Sequence, residues 1–180
     1  MNAAKYEKWE GFHRLAMSHF NHLGQPGDIE LIIESVSEQI EALRIYQSLG
    51  QQDQMQVLIE KMTWDSGLDF KRFQQTNIDS PRLLTEFKPT IFTQTYGLDP
   101  EDLKELMRLS QGFAFTMPTS PKPEFVILDG TRYELRLHHY SGKINLAWHS
   151  DLPEEWYALQ PLLDKLEELK VQFFVETTEQ

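Results

Sequence analysis

The sequence predicts an α+β protein: a helical N-terminal two-thirds packed on a three-stranded, or slightly larger, antiparallel sheet with a C-terminal helix. Apolar residues recur at three- and four-residue steps before residue 111, alternate with polar residues after residue 125, and return to helical spacing after residue 151. We therefore expect a single α+β domain over residues 1–180, with 1–111 mainly helical, 112–150 an antiparallel meander and 151–180 a C-terminal helical segment.

Three helices are predicted first. One covers residues 3–23 and ends at a glycine-rich turn. The second starts at Asp28, which suits an N-cap, and ends near Gly50. Its apolar stripe consists of Ile29, Ile32, Ile33, Val36, Ile40 and Leu43. Asp53 can cap a third, shorter helix that runs to Met62.

Two more helices are predicted before the sheet, at residues 68–74 and 98–110. Asp99 caps the longer one, and a proline follows at its first helical position. Between them, two prolines interrupt residues 76–96, and residues 90–95 fit a strand nearly as well as a helix.

The meander is predicted from two turn signals, Asp129-Gly130 and Ser141-Gly142. They place strands at about residues 125–128, 131–139 and 144–149. The same turns set a register that pairs Leu137 with Leu146. The C-terminal helix then starts near Pro153, and its residues 171–175 either extend it or form a closing strand.

Charge and composition exclude several classes of function. The chain has 28 acidic and 17 basic residues, a net charge of −11 and a pI near 4.9, so it lacks the basic face that direct nucleic-acid binding requires. It has no cysteine, which excludes disulfides and thiolate metal sites. Neither a signal-peptide core nor an apolar run of membrane-spanning length occurs, so we expect a cytoplasmic protein without a membrane partner.

A row of like charges is the strongest candidate binding feature. Its members would share one face of the second predicted helix: Glu30, Glu34, Glu38 and Glu41. No lysine or arginine occurs between Asp28 and Arg44 to neutralise them. The row is interpreted either as a docking surface for a basic protein partner or as a solvated face that only maintains solubility.

Trp156 joins these four glutamates as a candidate partner-binding residue because it follows two glutamates directly. Other chemistry was sought among the six histidines. His138 and His149 fall in the predicted hairpin, where the expected register sets His149 opposite Glu134. The known phosphate-binding and serine-nucleophile motifs are absent, so no catalytic residue, metal or cofactor is predicted.

One segment resembles small acidic bacterial proteins, some of which are immunity proteins that neutralise a toxin delivered between bacteria. The resemblance rests on residues 129–135 (Asp-Gly-Thr-Arg-Tyr-Glu-Leu), Trp148, residues 152–156 (Leu-Pro-Glu-Glu-Trp) and the leucine-rich helix after them. It implies an acidic, cytosolic protein without catalytic motifs, and it names no contact residue.

The function expected from these observations is a non-enzymatic binding protein that neutralises a more basic partner, such as a bacterial toxin or effector. Two alternatives stay open. One is a hydrolase or metal-dependent enzyme in which Glu134 orients His149, and the other is an adaptor in a bacterial assembly.

Overall fold

Six strands and four α-helices make up the part of the chain that the structure describes. The structure is a computed structural model and describes residues 3–20, 28–35, 39–50, 53–75, 88–111 and 130–174. The strands are β1 (Ile29–Glu34), β2 (Gln39–Leu49), β3 (Met55–Asp65), β4 (Ile91–Gly97), β5 (Arg132–His139) and β6 (Gly142–His149). The helices are α1 (Ala3–Ser18), α2 (Ser66–Gln75), α3 (Pro100–Gln111), a 3₁₀ helix (Glu154–Leu159) and α4 (Gln160–Phe174).

The strands form one antiparallel sheet in the order β4-β3-β2-β1-β5-β6. Its centre is β1, which pairs with β2 on one side and with β5 on the other. The N-terminal and C-terminal parts of the chain therefore share one sheet.

The predicted fold is wrong in its proportions, although the α+β class is correct. The region 1–111, expected to be mainly helical, contributes four of the six strands, and the second and third predicted helices are β1, β2 and β3. The cause lies in β1, whose first four residues are all buried. A central strand covered on both faces lacks the alternation that marks a half-exposed strand, so its isoleucines resemble a helical stripe.

Helices cover the sheet on both faces. On the side that we call the α4 face, α3, the 3₁₀ helix and α4 cover a core that includes Ile45, Leu135, Leu137, Leu162 and Leu166. On the opposite side, the α1 face, Phe12 and Ala16 of α1 and Phe20 just beyond its end pack against Ile32, Ala42 and Trp64. Side chains two residues apart on a strand share a face, so the side chain of Glu30 lies on the α1 face with that of Ile32.

Several predicted elements are confirmed. The helices α2, α3 and α4 occur where expected, and residues 171–174 extend α4. Asp99 caps α3 by accepting a 2.8 Å hydrogen bond from the backbone N–H of Glu101. The ambiguous residues 90–95 fall largely within β4.

The hairpin of β5 and β6 is confirmed, but its register is not the predicted one. Leu146 lies opposite Leu135, and the two-residue loop consists of Tyr140 and Ser141. The reason is Gly142, which begins β6 at a φ of 143°, a conformation that favours glycine. The strand predicted at residues 125–128 lies outside the described residues. Among those that are described, no helix combines the length and the apolar character needed to cross a membrane.

Candidate functional site

The structure does not place the predicted glutamates on one helix face. Glu30 and Glu34 lie on β1, Glu41 lies on β2, and Glu38 is outside the described residues. Ala42 lies on the α1 face, and side chains of neighbouring residues on a strand lie on opposite faces. The side chain of Glu41 therefore lies on the α4 face, opposite to that of Glu30. The expectation of a shared helical surface is therefore wrong.

Glu41 is also neutralised by the chain's own cations. Its carboxylate oxygens lie 3.4 Å from Lys61 Nζ and 3.2 Å from Lys170 Nζ. Burial opposes ionisation of this group, but the two lysines outweigh burial and lower the pKa of Glu41 below its usual value. Glu41 thus ties β2 and β3 to α4.

A row of polar side chains crosses the α1 face, with one residue from each strand of the sheet. We call it the ionic row; in strand order from β4 to β6 its members are Thr95, Glu60, Arg44, Glu30, Arg136 and Asn145, each directly opposite the next. Arg44 Nη1 donates a 2.7 Å hydrogen bond to Glu60 Oε1, and Arg136 Nη1 donates a 3.0 Å bond to Glu30 Oε2. Acid and base alternate over the four central members, so the three pairings among Glu60, Arg44, Glu30 and Arg136 join opposite charges, and uncharged Thr95 and Asn145 end the row.

The network continues along β5 beyond the ionic row. Glu134 accepts hydrogen bonds from Arg136 Nε at 2.7 Å, Arg132 Nη2 at 2.9 Å and Asn145 Nδ2 at 3.0 Å. Arg132 Nη1 in turn donates a 3.2 Å bond to Glu34 Oε2. Glu30 and Glu34, two of the predicted contact residues, are therefore held by arginines of this molecule.

Glu30 occupies the most enclosed position of the network. It is fully buried, and its Oε1 lies 3.6 Å from Arg44 Nε. Burial raises the pKa of Glu30 from 4.5 to about 7, because the loss of hydration outweighs the attraction of Arg136 and Arg44. The row thus contains a carboxyl group that changes its charge near neutral pH.

Glu134 shows the opposite balance although it lies in the same network. Burial favours its protonated form, but hydrogen bonds from Arg136 and Asn145 and the charges of Arg136 and Arg132 lower the pKa of Glu134 below its usual value. Three short hydrogen bonds stabilise this carboxylate, whereas Glu30 Oε1 accepts none. The two acids therefore respond to different pH ranges.

A cavity of about 470 Å³ opens beside α1, where the network ends. Four described residues line it: Trp9, Glu10, His13 and Arg14. The ring of His13 stands 5.2 Å from that of Trp64, and its Nε2 lies 3.9 Å from Glu34 Oε1. The size suits a small ligand, and the lining combines an aromatic ring with both signs of charge.

The hairpin histidines do not meet Glu134 as the sequence predicted. Arg132 lies opposite His149, and Glu134 lies opposite Ala147, so the predicted pairing of His149 with Glu134 is wrong. His138 is six residues along β5 from Arg132, a distance of about 20 Å along an extended strand. Within the described ranges, no group of three histidine, aspartate or glutamate side chains has the geometry of a metal site.

Trp156, the fifth predicted contact residue, lies on the 3₁₀ helix at the rim of the α4 face. Its ring packs edge-on against Trp148 with 6.3 Å between ring centroids. The next residue, Tyr157, leaves 58% of its surface exposed. Trp156 therefore anchors the segment that presents Tyr157 to solvent.

The helices around Trp156 carry just over half of the chain's net negative charge. We define residues 99–111 and 151–174 as the acidic helical layer; it has ten acidic residues and four basic ones, a net charge of −6. The acids are Asp99, Glu101, Asp102, Glu105, Asp151, Glu154, Glu155, Asp164, Glu167 and Glu168. Lys165 is bound within the layer, because its Nζ lies 3.0 Å from Asp102 and within 3.5 Å of two glutamates.

Sequence reasoning missed the arginines that define the network. A sequence signal for them is present in β5, where Arg132, Glu134 and Arg136 lie on one face of the strand and alternate in the sign of their charge. Charges on the inner face of a covered sheet require partners of opposite sign from neighbouring strands. Glu30 and Glu34 meet this requirement for Arg136 and Arg132.

Comparison of the chain with protein-family models, with curated proteins and with solved structures gives no match.

Proposed function

We propose that this protein is a non-enzymatic binding protein that neutralises a more basic protein partner in the cytoplasm, and that it docks this partner on the acidic helical layer. One observation carries the proposal: more than half of the net charge of −11 lies on residues 99–111 and 151–174. Charge concentrated on one side of a protein attracts a cationic partner over several ångströms and increases the rate of encounter.

The docking surface proposed here does not include Glu30 or Glu41. Glu30 is buried and paired with two arginines, and Glu41 is paired with two lysines, so their charges are already compensated. Glu154 and Glu155, by contrast, are exposed at the start of the 3₁₀ helix. Exposed carboxylates can form new ion pairs with a partner without first breaking internal ones.

The aromatic residues beside these carboxylates support the same surface. Interfaces concentrate binding energy in aromatic anchors that are surrounded by polar groups. Tyr157 is exposed between two acidic segments, and Trp156 fixes its position by packing on Trp148. An aromatic side chain on a rigid support loses little conformational entropy on binding.

For the partner we propose a bacterial toxin or effector, which makes the protein an immunity protein. This part of the proposal is supported by the resemblance of residues 129–135, Trp148, residues 152–156 and the leucine-rich helix after them; these segments include parts of β5, β6 and the acidic helical layer.

The test uses the product of the neighbouring gene, expressed under an inducible promoter with and without this protein. We expect co-expression to restore growth and the purified pair to bind with a salt-dependent association rate. The double variant Glu154→Lys/Glu155→Lys should slow association about tenfold and weaken its salt dependence. The matched control is Glu7→Lys/Glu10→Lys, which makes the same charge change on α1, across the sheet.

Three results would contradict the proposal. Failure of the protein to bind or neutralise the neighbouring product would remove the toxin partner. Equal slowing by both double variants would show that only net charge matters and would remove the docking surface. Catalytic turnover of the neighbouring product would replace the binding function with an enzymatic one.

A further inference from the structure

The edge strand β4 lacks the features that usually protect a sheet edge. Within the described residues it pairs with β3 alone, and no strand of that part of the chain lies on its outer side. Six of its seven residues are exposed, and none of the seven is charged or proline. The opposite edge, β6, carries Lys143 and His149. Proteins normally discourage edge pairing with charges, prolines or bulges, so β4 is available for strand addition.

The sequence of β4 is self-complementary about its centre. It reads Ile-Phe-Thr-Gln-Thr-Tyr-Gly, and an antiparallel copy centred on Gln94 would pair like types with each other. Phe92 would lie opposite Tyr96 of the second copy, Thr93 opposite Thr95, and Gln94 opposite Gln94 of the second copy. Aromatic pairs and threonine pairs are among the favourable cross-strand neighbours.

The backbone geometry of β4 fits this pairing. The N–H of Leu98 donates to the carbonyl of Val57, and the carbonyl of Thr90 accepts from Asp65, so the even-numbered residues bond to β3. The N–H and C=O groups of the odd-numbered residues therefore point outward. A copy centred on Gln94 would form about eight new backbone hydrogen bonds from these groups. Phe92 and Tyr96 would occupy the close, non-hydrogen-bonded positions.

Exposed aromatic surface lies along the same edge. Phe92 is 61% exposed and Tyr96 is 42% exposed. The ring of Tyr96 already contacts Phe173 and Phe174 of α4, at centroid distances of 5.9 and 5.3 Å. The second copy's Phe92 would extend this cluster and remove apolar surface from water.

The self-complementary and uncharged sequence of β4 favours a second copy as the occupant. Two chains that each carry a net charge of −11 repel each other. A two-fold axis places the same residues of both copies close together, so a charged contact strand would add to this repulsion and an uncharged one would not. The strand β4 is an uncharged contact strand of this kind. At its ends, exposed Lys88 would lie one register position from Asp99 of the second copy, so opposite charges flank the contact.

We propose that β4 forms a two-fold symmetric antiparallel pair with β4 of a second copy, which makes a homodimer with a continuous twelve-stranded sheet. The two-fold axis is perpendicular to the sheet, so both acidic helical layers lie on the same side. The dimer does not depend on the proposed function, but it would present two docking surfaces to a partner.

The test compares the full chain with three single variants by sedimentation velocity across a micromolar concentration series. Wild type should dimerise. Gln94→Lys should be monomeric, because it sets two like charges opposite each other, and Gln94→Glu should be monomeric for the same reason. A mixture of these two variants should dimerise again, because lysine then faces glutamate. Gln111→Lys, an exposed residue of α3, is the matched control and should dimerise as wild type does.

Each outcome decides for or against the pairing. Rescue in the mixture, with slowed amide hydrogen exchange at Thr93 and Thr95 in the dimer, supports it. A monomeric wild type, open-ended assemblies, or a dimer that is insensitive to both Gln94 variants would overturn it. Circular dichroism of each variant separates loss of pairing from loss of fold.

Discussion

Glu30 and Arg136 face each other across β1 and β5, and Arg136 Nη1 donates a 3.0 Å hydrogen bond to Glu30 Oε2 where no solvent reaches the carboxyl group. Arg44 lies on the other side of the same carboxyl group. A fully buried acid between two arginines is sensitive to its protonation state, because water does not screen its interactions. The stability of the protein should therefore depend on pH in a way that can be assigned to Glu30.

Between pH 4.5 and 7 we expect Glu30 to make stability fall as pH rises. The pKa of Glu30 is about 7 in the folded protein and has its ordinary value of 4.5 in the unfolded chain, so the folded state retains a proton that the unfolded state has lost. Its contribution is complete below pH 4.5 and is lost as pH rises through 7, on the order of 3 kcal/mol in all. Urea denaturation at half-unit pH steps measures it.

The variant Glu30→Gln isolates this effect from the titration of histidines. Glutamine imitates the protonated acid, so the variant should gain stability relative to wild type as pH rises from 4.5 to 7. Parallel pH profiles for the two proteins would show that Glu30 is ionised throughout, and the assigned pKa would be wrong.

Glu134 should act in the opposite direction and in a lower pH range. Because its pKa is lowered, its stabilising contribution is present above pH 4.5 and is lost as pH falls through the folded value. We expect Glu134→Gln to destabilise the protein at pH 7 by about 2 to 4 kcal/mol, since Arg132 and Arg136 lose a shared partner. The difference from wild type should shrink below pH 4.5 in urea denaturation.

The matched control for that variant is Glu101→Gln. Glu101 also pairs with a cation, Lys104, but both side chains are exposed. Its replacement should leave the unfolding midpoint at pH 7 unchanged. A similar loss in both variants would mean that burial does not strengthen the Glu134 contacts.

The sequence was sufficient for elements whose ends carry local signals. Asp99 caps α3, and Pro153 comes directly before the 3₁₀ helix. Both start signals could be recognised in the sequence because the start of a helix depends on residues close by in the chain. The turn before Gly142 was displaced by one residue, which moved each cross-strand partner by two positions. The faces of β5 and β6 were nevertheless correct, because a shift of two preserves the alternation of side chains.

The central strands could not be recognised from local pattern. β1 is covered by helices on both faces, so burial of Ile29, Leu31 and Ile32 removes the period-two signal. Glu30 interrupts this run, and its buried role depends on Arg136, which lies 106 positions away in the chain. Such long-range compensation is invisible until the strands are paired.

Another buried acid, Asp69, should fix the position of the start of β4. Its carboxylate accepts a 2.9 Å hydrogen bond from Trp64 Nε1 and a 2.6 Å bond from the backbone N–H of Thr90. We expect Asp69→Ala to cost about 2 to 4 kcal/mol, because buried donors lose their acceptor. Amide exchange in β4 should accelerate more than exchange in β6.

A double-mutant cycle separates the Trp64 bond from the other contacts of Asp69. Trp64→Phe removes the indole donor while keeping an aromatic ring, and its coupling with Asp69→Ala should be about 1 kcal/mol. Additive losses would show that the 2.9 Å contact contributes nothing to stability.

Trp156 and Tyr157 are adjacent but should affect different properties. Trp156→Ala removes a ring packed on Trp148, so we expect a loss of about 2 to 3 kcal/mol in the free energy of unfolding, and Trp156→Phe should restore most of it. Tyr157→Ala should leave the unfolding midpoint unchanged, because 58% of that residue is already exposed. The same change should weaken binding of the basic partner at least about tenfold in calorimetric titration. Unaltered partner affinity in the Tyr157 variant would exclude this aromatic residue from the docking surface, and the carboxylates alone would then have to account for recognition.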